Sequence, residues 1–263
     1  MTPVSRFTAF VSFALIVGAA TAAWAQSEKL GTVDFKTSCS APAHAQFNRA
    51  VALLHSFALD AAVKGFTEAT QTDPTCGIAH WGTAMAWMGN PLAAPPSARG
   101  LKEGGMAVER AKSAGAKTQR ERDYIAAIEL IYKDADTVPH KTRATAYDRA
   151  MEQLSARYPD DREAAIFYAL AQNMTLDPND KTYANQLKAA GILEKVFAEQ
   201  PNHPGVAHYL IHSYDFPPIA QKGVPAAKLY AAIAPSAPHA LHMPSHIFTR
   251  VGAWQDSIDT NRA

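Results

Sequence analysis

Apolar residues recur along most of this chain at the three- and four-residue spacing that places them on one face of a helix. The alternation of apolar and polar residues that is typical of half-buried strands is absent, and alanine is abundant. Proline, aspartate–proline and glycine–asparagine–proline segments interrupt the periodic stretches and mark helix ends. The pattern therefore predicts an all-α protein.

The periodic stretches fall into pairs. Residues 43–56 and 59–72 predict the first pair, which ends at Asp73-Pro74. The later predicted pairs are 76–88 with 106–114, 118–132 with 143–158, 162–174 with 183–199, 204–214 with 224–233, and 239–250 with a helix after Gly252. A proline- and glycine-rich connection is expected between 88 and 106. The last pair stops short, so we expect about five and a half pairs, with the final repeat incomplete or covered by a partner.

The first pair resembles the tetratricopeptide repeat (TPR) family, whose 34-residue unit is a helix–turn–helix. That family places small residues at three helix-contact positions, a large apolar residue at a fourth, and proline after the second helix. Counted from residue 43, these positions hold Ala50, Ala62, Phe66, Ala69 and Pro74. Small residues allow two helices to approach closely, and proline ends the second helix.

The resemblance implies an α-α superhelix of TPR-like antiparallel helix pairs over residues 43–263, after a lead at 26–42. It also implies a scaffold that binds a peptide, a protein segment or a small ligand on its concave face. A protein or peptide would then be the expected partner. Fold analogy alone supports this function.

Six of the ten histidines lie between residues 203 and 246. His208 and His212 are four residues apart, and so are His242 and His246, so each pair would share one helix face. The step from the first pair to the second is 34 residues, the length of one repeat. Neutral imidazoles are good ligands for zinc, copper and iron. The alternative function is therefore a metal-binding protein or a metal-dependent enzyme that uses these four residues.

Other residues near the histidines are candidates for ligand binding. Tyr209 and Tyr214 offer oxygen atoms, and Arg250 offers a guanidinium for an anionic group. No glycine-rich phosphate loop, nucleophile elbow or His-Glu-x-x-His motif points to a particular reaction, so the catalytic residues stay unknown. The histidines could instead cap helix ends and join repeats by hydrogen bonds, and Pro244 interrupts the second pair.

Two cysteines, Cys39 and Cys76, are 37 residues apart, which is close to one repeat. Each lies near the start of a predicted helix, and equivalent helix starts in adjacent repeats are neighbours. The sequence favours one disulfide between them, and two separate buried thiols are the alternative.

Residues 1–25 have the pattern of a secretory signal peptide. Arg6 precedes an apolar stretch at 10–20, and Ala23-Trp24-Ala25 offers a small-x-small cleavage site. An uncleaved N-terminal anchor is the alternative. We expect an exported protein, periplasmic or secreted, with no membrane contact beyond this segment. The net charge of +1 gives no reason to expect a nucleic-acid partner.

Overall fold

The computed structural model describes residues 28–262, and within them the chain is helical, with no strand. The predicted signal segment, 1–25, lies outside the described residues. The helices are α1 (Ala41–His55), α2 (Leu59–Thr72), α3 (Gly77–Trp87), α4 (Ala98–Ala114), α5 (Gln119–Tyr132), α6 (His140–Arg157), α7 (Arg162–Met174), α8 (Ala184–Glu199), α9 (Pro204–Tyr214), α10 (Val224–Ile233), α11 (Pro238–His242), α12 (Pro244–Arg250) and α13 (Trp254–Arg262). The all-α prediction is confirmed.

Side chains cap some of the helix starts. The Thr118 hydroxyl and the Glu121 carboxylate form a reciprocal capping box at the start of α5. Asp161 caps α7 by accepting a hydrogen bond from a main-chain N–H. Ser97 caps α4 in the same way, so α4 begins at Ala98 rather than at residue 106. The proline- and glycine-rich connection is therefore shorter than the composition indicated.

Helices that follow each other in the chain pack against each other, from the α1–α2 contact to the α12–α13 contact. Some alternate helices also pack against each other, because α1 contacts α3, α3 contacts α5, and α7 contacts α9. This sequential packing is the arrangement expected of an all-α helical repeat.

Small residues bring the helices of the first pair close together. A Cβ atom built on Gly65 of α2 would lie 2.9 Å from the Cβ of Ala50 on α1. Phe66 is fully buried, and its ring lies where a side chain on Gly82 of α3 would be. Larger residues at these positions would push the helices apart.

A continuous aromatic core fills the space between the odd-numbered helices. The Trp81 ring centroid lies 5.2 Å from Tyr124 of α5 and 5.3 Å from Phe167 of α7. Phe35, from the segment before α1, lies 5.3 Å from Trp81. Aromatic pairs at these separations add to the free energy gained from burial.

The array brings its first helix against its ninth. α1 and α9 are in contact, and the segment before α1 reaches the same region, where Thr32 N–H donates to the Asn202 carbonyl at 2.9 Å. Gly31 makes this approach possible. It has φ of +84°, and a Cβ there would lie 2.7 Å from the Asn202 oxygen. The chain therefore curves until residues far apart in sequence meet.

Cys39 and Cys76 form a disulfide with a Cα–Cα distance of 4.8 Å. It ties the segment before α1 to the start of α3. The favoured pairing of the two cysteines is confirmed. Among the helices of residues 28–262, none is both long and apolar enough to cross a membrane.

Candidate metal centre

Three helices, separated in sequence by α10, carry five of the histidines to one place. His208 and His212 lie on α9, His239 and His242 on α11, and His246 on α12. Histidines four apart on α9 share a face, as the sequence indicated. α11 ends at His242, and Pro244 is the first residue of α12.

The imidazoles of His208, His212 and His239 converge through their Nε2 atoms. His208 Nε2 lies 3.1 Å from His212 Nε2 and 3.0 Å from His239 Nε2. All three nitrogens lie within 4.8 Å of one another. Two nitrogens bound to one zinc ion at about 2.0–2.1 Å would be roughly 3.3 Å apart at a tetrahedral angle. In these three residues, called here the histidine triad, the two separations from His208 Nε2 are therefore close to those of ligands to one ion.

The tautomer of His208 is set by its second nitrogen. Its Nδ1 lies 2.6 Å from the main-chain oxygen of His55, which accepts hydrogen bonds and cannot donate them. Nδ1 therefore carries the proton, and Nε2 presents a lone pair to the other two rings. A histidine that donates one N–H to a carbonyl and offers the other nitrogen to a metal is the usual arrangement in metal sites.

Aromatic rings enclose the triad. The Phe57 ring centroid lies 4.5 Å from that of His208 and 5.4 Å from that of His239. On another side, Tyr230 stacks on His208 with an interplanar angle of 14°. Phe57 has φ of +50°, a left-handed conformation that is rare for a bulky residue. Such strain is concentrated at functional sites.

Burial keeps the triad neutral. It lowers the pKa of His208 well below its ordinary value and, with neighbouring histidines, lowers the pKa of His212 to about 3. Burial also lowers the pKa of His239 to about 4. At neutral pH, protons therefore do not compete with a metal for these nitrogens.

His242 and His246 form a second group beside the triad. Their Nε2 atoms are 3.2 Å apart, and His246 Nδ1 lies 2.9 Å from Asp215 Oδ2. Arg250 Nε donates to the other oxygen of Asp215 at 2.9 Å. Burial by itself would raise the pKa of Asp215, but the hydrogen bonds from His246 and Arg250 outweigh it and hold that pKa below its ordinary value.

The structure places the four predicted metal ligands in two groups. His208 and His212 converge with His239, whereas His242 and His246 face each other. His239 lies within the histidine-rich segment, but it has no partner four residues away, and this is why the spacing argument passed over it. Its i,i+3 relation to His242 on a short helix is the signal that could have included it.

The three residues predicted to bind a ligand already have partners within the protein. Tyr209 is fully buried, and its hydroxyl lies 3.1 Å from His55 Nδ1. The buried Tyr214 donates to Glu194 at 2.6 Å. Arg250 is about half exposed and is paired with Asp215.

A second buried cluster consists of Glu163 between His55 and His203. Its carboxylate oxygens lie 2.9 Å from Nε2 of each histidine. His203 Nδ1 accepts the main-chain N–H of Val206, so the proton of that ring is on Nε2 and points at the carboxylate. A metal ligand would need a lone pair at that position. We therefore describe this cluster as a hydrogen-bonded network, which sequence reasoning missed because Glu163 lies 40 residues from His203.

The network holds a charged carboxylate without exposing it. Burial alone would raise the pKa of Glu163, but the two histidines outweigh this effect and hold the pKa below its ordinary value. Burial lowers the pKa of His55 in spite of Glu163. The ring of His55 is thus neutral and fixed, and its main chain is the group that positions His208.

The histidine triad and the pair beside it are the groups in residues 28–262 whose geometry suits a transition metal. In comparisons with known proteins, no protein-family model matches the chain, and no curated protein matches it.

Proposed function

We propose that this chain is a transition-metal-binding protein, whose ion is bound by Nε2 of His208, His212 and His239. The observation that supports it best is the fixed tautomer of His208. Its single Nε2 lone pair faces two imidazole nitrogens, at 3.0 and 3.1 Å. One lone pair accepts one good hydrogen bond, so hydrogen bonding alone leaves one of the two contacts unsatisfied. One ion uses a lone pair from each ring and satisfies all three.

The ligand set favours particular metals. Three imidazoles suit zinc, copper and iron and do not suit calcium or magnesium, which prefer oxygen ligands. Three protein ligands also leave a coordination position for water or a substrate, as in catalytic zinc sites. An ion in such a site lowers the pKa of bound water and polarises a substrate oxygen, so the proposal includes metal-dependent catalysis as its use.

We propose in addition that the helical array is a TPR-like α-α superhelix and that the chain is exported. The contacts between successive and alternate helices support the first statement, and the Cys39–Cys76 disulfide supports the second. A scaffold that binds a protein or peptide is the second candidate function. It is favoured by α13, on which Trp254 is 62% exposed and Ile258 is 44% exposed.

Elemental analysis tests the metal proposal. The chain is purified without a histidine tag or chelating column, incubated with Zn²⁺ or Cu²⁺, and desalted. We expect one tightly bound ion to be lost in the double variant His212→Ala/His239→Ala. The matched control His80→Ala/His140→Ala, which removes two histidines outside the site, should keep that ion. Circular dichroism establishes that both variants are folded.

Two outcomes would reject the proposal. One is a wild-type protein that retains no metal, and the other is an unchanged metal content in the His212→Ala/His239→Ala variant. In the first case the scaffold function would stand, with the histidines serving as hydrogen-bonding groups between helices.

A further inference from the structure

The pair formed by His242 and His246 is not part of the triad, and its hydrogen bonds determine where its protons lie. His246 Nδ1 lies 2.9 Å from a carboxylate oxygen of Asp215. His242 Nδ1 lies 2.7 Å from Oδ1 of Asn261. The carboxylate of Asp215 also accepts from Arg250 and is ionised, so it can only accept hydrogen bonds.

The orientation of Asn261 follows from its other contact. Its side-chain nitrogen donates to the main-chain oxygen of Ser257 at 2.8 Å. Turning the amide over would place an oxygen against that carbonyl, so the amide oxygen must face His242. In their neutral form both histidines thus carry a proton on Nδ1, and each then offers the lone pair of Nε2.

Two lone pairs therefore face each other across 3.2 Å. Two acceptors in this arrangement repel unless a proton or a metal ion lies between them. The separation is close to the roughly 3.3 Å expected for two nitrogens on one tetrahedral ion. The oxygen partners on Nδ1 are the kind of groups that orient histidines as metal ligands.

We infer that His242 and His246 bind a second transition metal ion next to the first, so that the segment from α9 to α12 forms a two-metal centre. This inference rests on the proposed function of the triad. The two groups are adjacent, because the ring centroids of His212 and His246 are 6.5 Å apart and those of His239 and His242 are 6.4 Å apart.

The second position differs from the first in exposure and in ligand number. His242 is exposed and His246 is partly exposed, whereas His208 is fully buried. Two imidazoles leave several coordination positions for solvent or an anion. Neighbouring metal ions hold an oxygen anion between them, so the expected ligand is hydroxide or the oxygen of a carboxylate or phosphate. Asp215 acts here as a positioning residue through His246.

Copper titration distinguishes the two sites. The metal-free wild type, His242→Ala/His246→Ala, His212→Ala/His239→Ala and the control His80→Ala/His140→Ala are titrated with Cu²⁺, and bound copper is counted after desalting. We expect two ions in the wild type and the control, and one in His242→Ala/His246→Ala. In the wild type the electron paramagnetic resonance signal per bound copper should be weaker than in His242→Ala/His246→Ala, because neighbouring Cu²⁺ spins couple.

The outcomes separate this inference from the function on which it rests. One copper that is lost in His212→Ala/His239→Ala and kept in His242→Ala/His246→Ala would support the triad and overturn the second site. Two coppers with uncoupled signals, or two retained by His242→Ala/His246→Ala, would also overturn it, since the second ion would lie elsewhere. No bound copper, or one that needs His242 and His246 alone, would overturn both proposals.

Discussion

His55 and His208 are 153 residues apart, and the main-chain oxygen of the first accepts a 2.6 Å hydrogen bond from Nδ1 of the second. The ring of His55 is itself held by Glu163 and Tyr209. His55 therefore takes part in two separate sets of hydrogen bonds. Its side chain is part of a buried network, and its backbone orients a candidate metal ligand.

The contact between α1 and α9 depends on Gly205. A Cβ atom at this position would lie 2.4 Å from His55 Nδ1, so Gly205→Ala must displace a buried ring. We expect a loss of about 1–3 kcal/mol in the free energy of unfolding, measured by urea denaturation, together with weaker metal binding. Gly191→Ala on α8 is the matched control, because a Cβ there meets nothing within 4 Å. That change should stabilise the protein by about 0.5–1 kcal/mol. Equal effects of the two changes would argue against a tight α1–α9 contact.

Replacing Glu163 by glutamine tests the buried network. The amide group keeps the shape but turns a donor toward one of the two histidine N–H groups that now face the carboxylate. Loss of a hydrogen bond to a charged group should lower the free energy of unfolding by about 1.5–3 kcal/mol. Glu68→Gln, at a partly exposed position, serves as the control and should change stability by less than about 0.5 kcal/mol. A neutral effect of Glu163→Gln would show that the hydrogen bonds are not made in solution.

The pH dependence of stability provides a separate test of Glu163. Its pKa in the folded protein lies below the ordinary value of 4.5, since His55 and His203 face it, so the unfolded chain binds a proton there first as the pH falls. The stabilisation from this group is therefore present above about pH 4.5 and is lost below it. Urea denaturation from pH 6 to pH 3 should show a shallower decline for Glu163→Gln than for the wild type. Parallel curves would contradict the assignment.

Phe57→Gly separates backbone strain from enclosure of the triad. Glycine removes the cost of φ at +50°, about 1–2 kcal/mol, but also removes the apolar contacts of the ring. These effects oppose each other, so the free energy of unfolding should change by no more than about 1 kcal/mol. In Phe57→Gly water gains access to the histidines. Zn²⁺ should therefore pass from this variant to a chromogenic chelator faster than it does from the wild type. Phe57→Leu keeps an apolar side chain and should exchange zinc at an intermediate rate; equal rates for all three proteins would show that the ring is not a barrier.

The disulfide should contribute to stability without taking part in metal binding. It closes a loop with a sequence separation of 37 residues between Cys39 and Cys76. Cross-links of this kind restrict the unfolded chain and stabilise proteins by about 2–4 kcal/mol. We expect Cys39→Ser/Cys76→Ser to lower the urea midpoint accordingly and to keep its metal content. Insensitivity of wild-type unfolding to a reducing agent would contradict the stabilising role.

Most helix boundaries could be predicted because the chain marks them chemically. Asp73-Pro74 ends the helix before it, and the actual α2 ends at Thr72 as predicted. α4 was predicted too short, because prolines and glycines before residue 106 obscured the capping role of Ser97. The cap is a single side-chain hydrogen bond, and composition does not reveal it.

The candidate site was predictable in location but not in grouping. The four-residue spacing correctly grouped His208 with His212, since both lie on one uninterrupted helix. It could not place His239, because that residue has no histidine four positions away and lies on a different helix from His208 and His212. The contact of His208 with His55 depends on the summed rotations of nine helices, and no local pattern determines that sum.

The contact between α1 and α9 also determines at which stage of folding the candidate metal centre can form. Repeats that contact their sequence neighbours fold without waiting for the rest of the chain, whereas a contact spanning 153 residues closes late. During N-to-C synthesis, His55 is made long before the α9 histidine that bonds to its carbonyl. Metal binding would then require that α1 and α9 are already in contact. An ion in the environment would bind the fully folded chain in preference to partly folded chains.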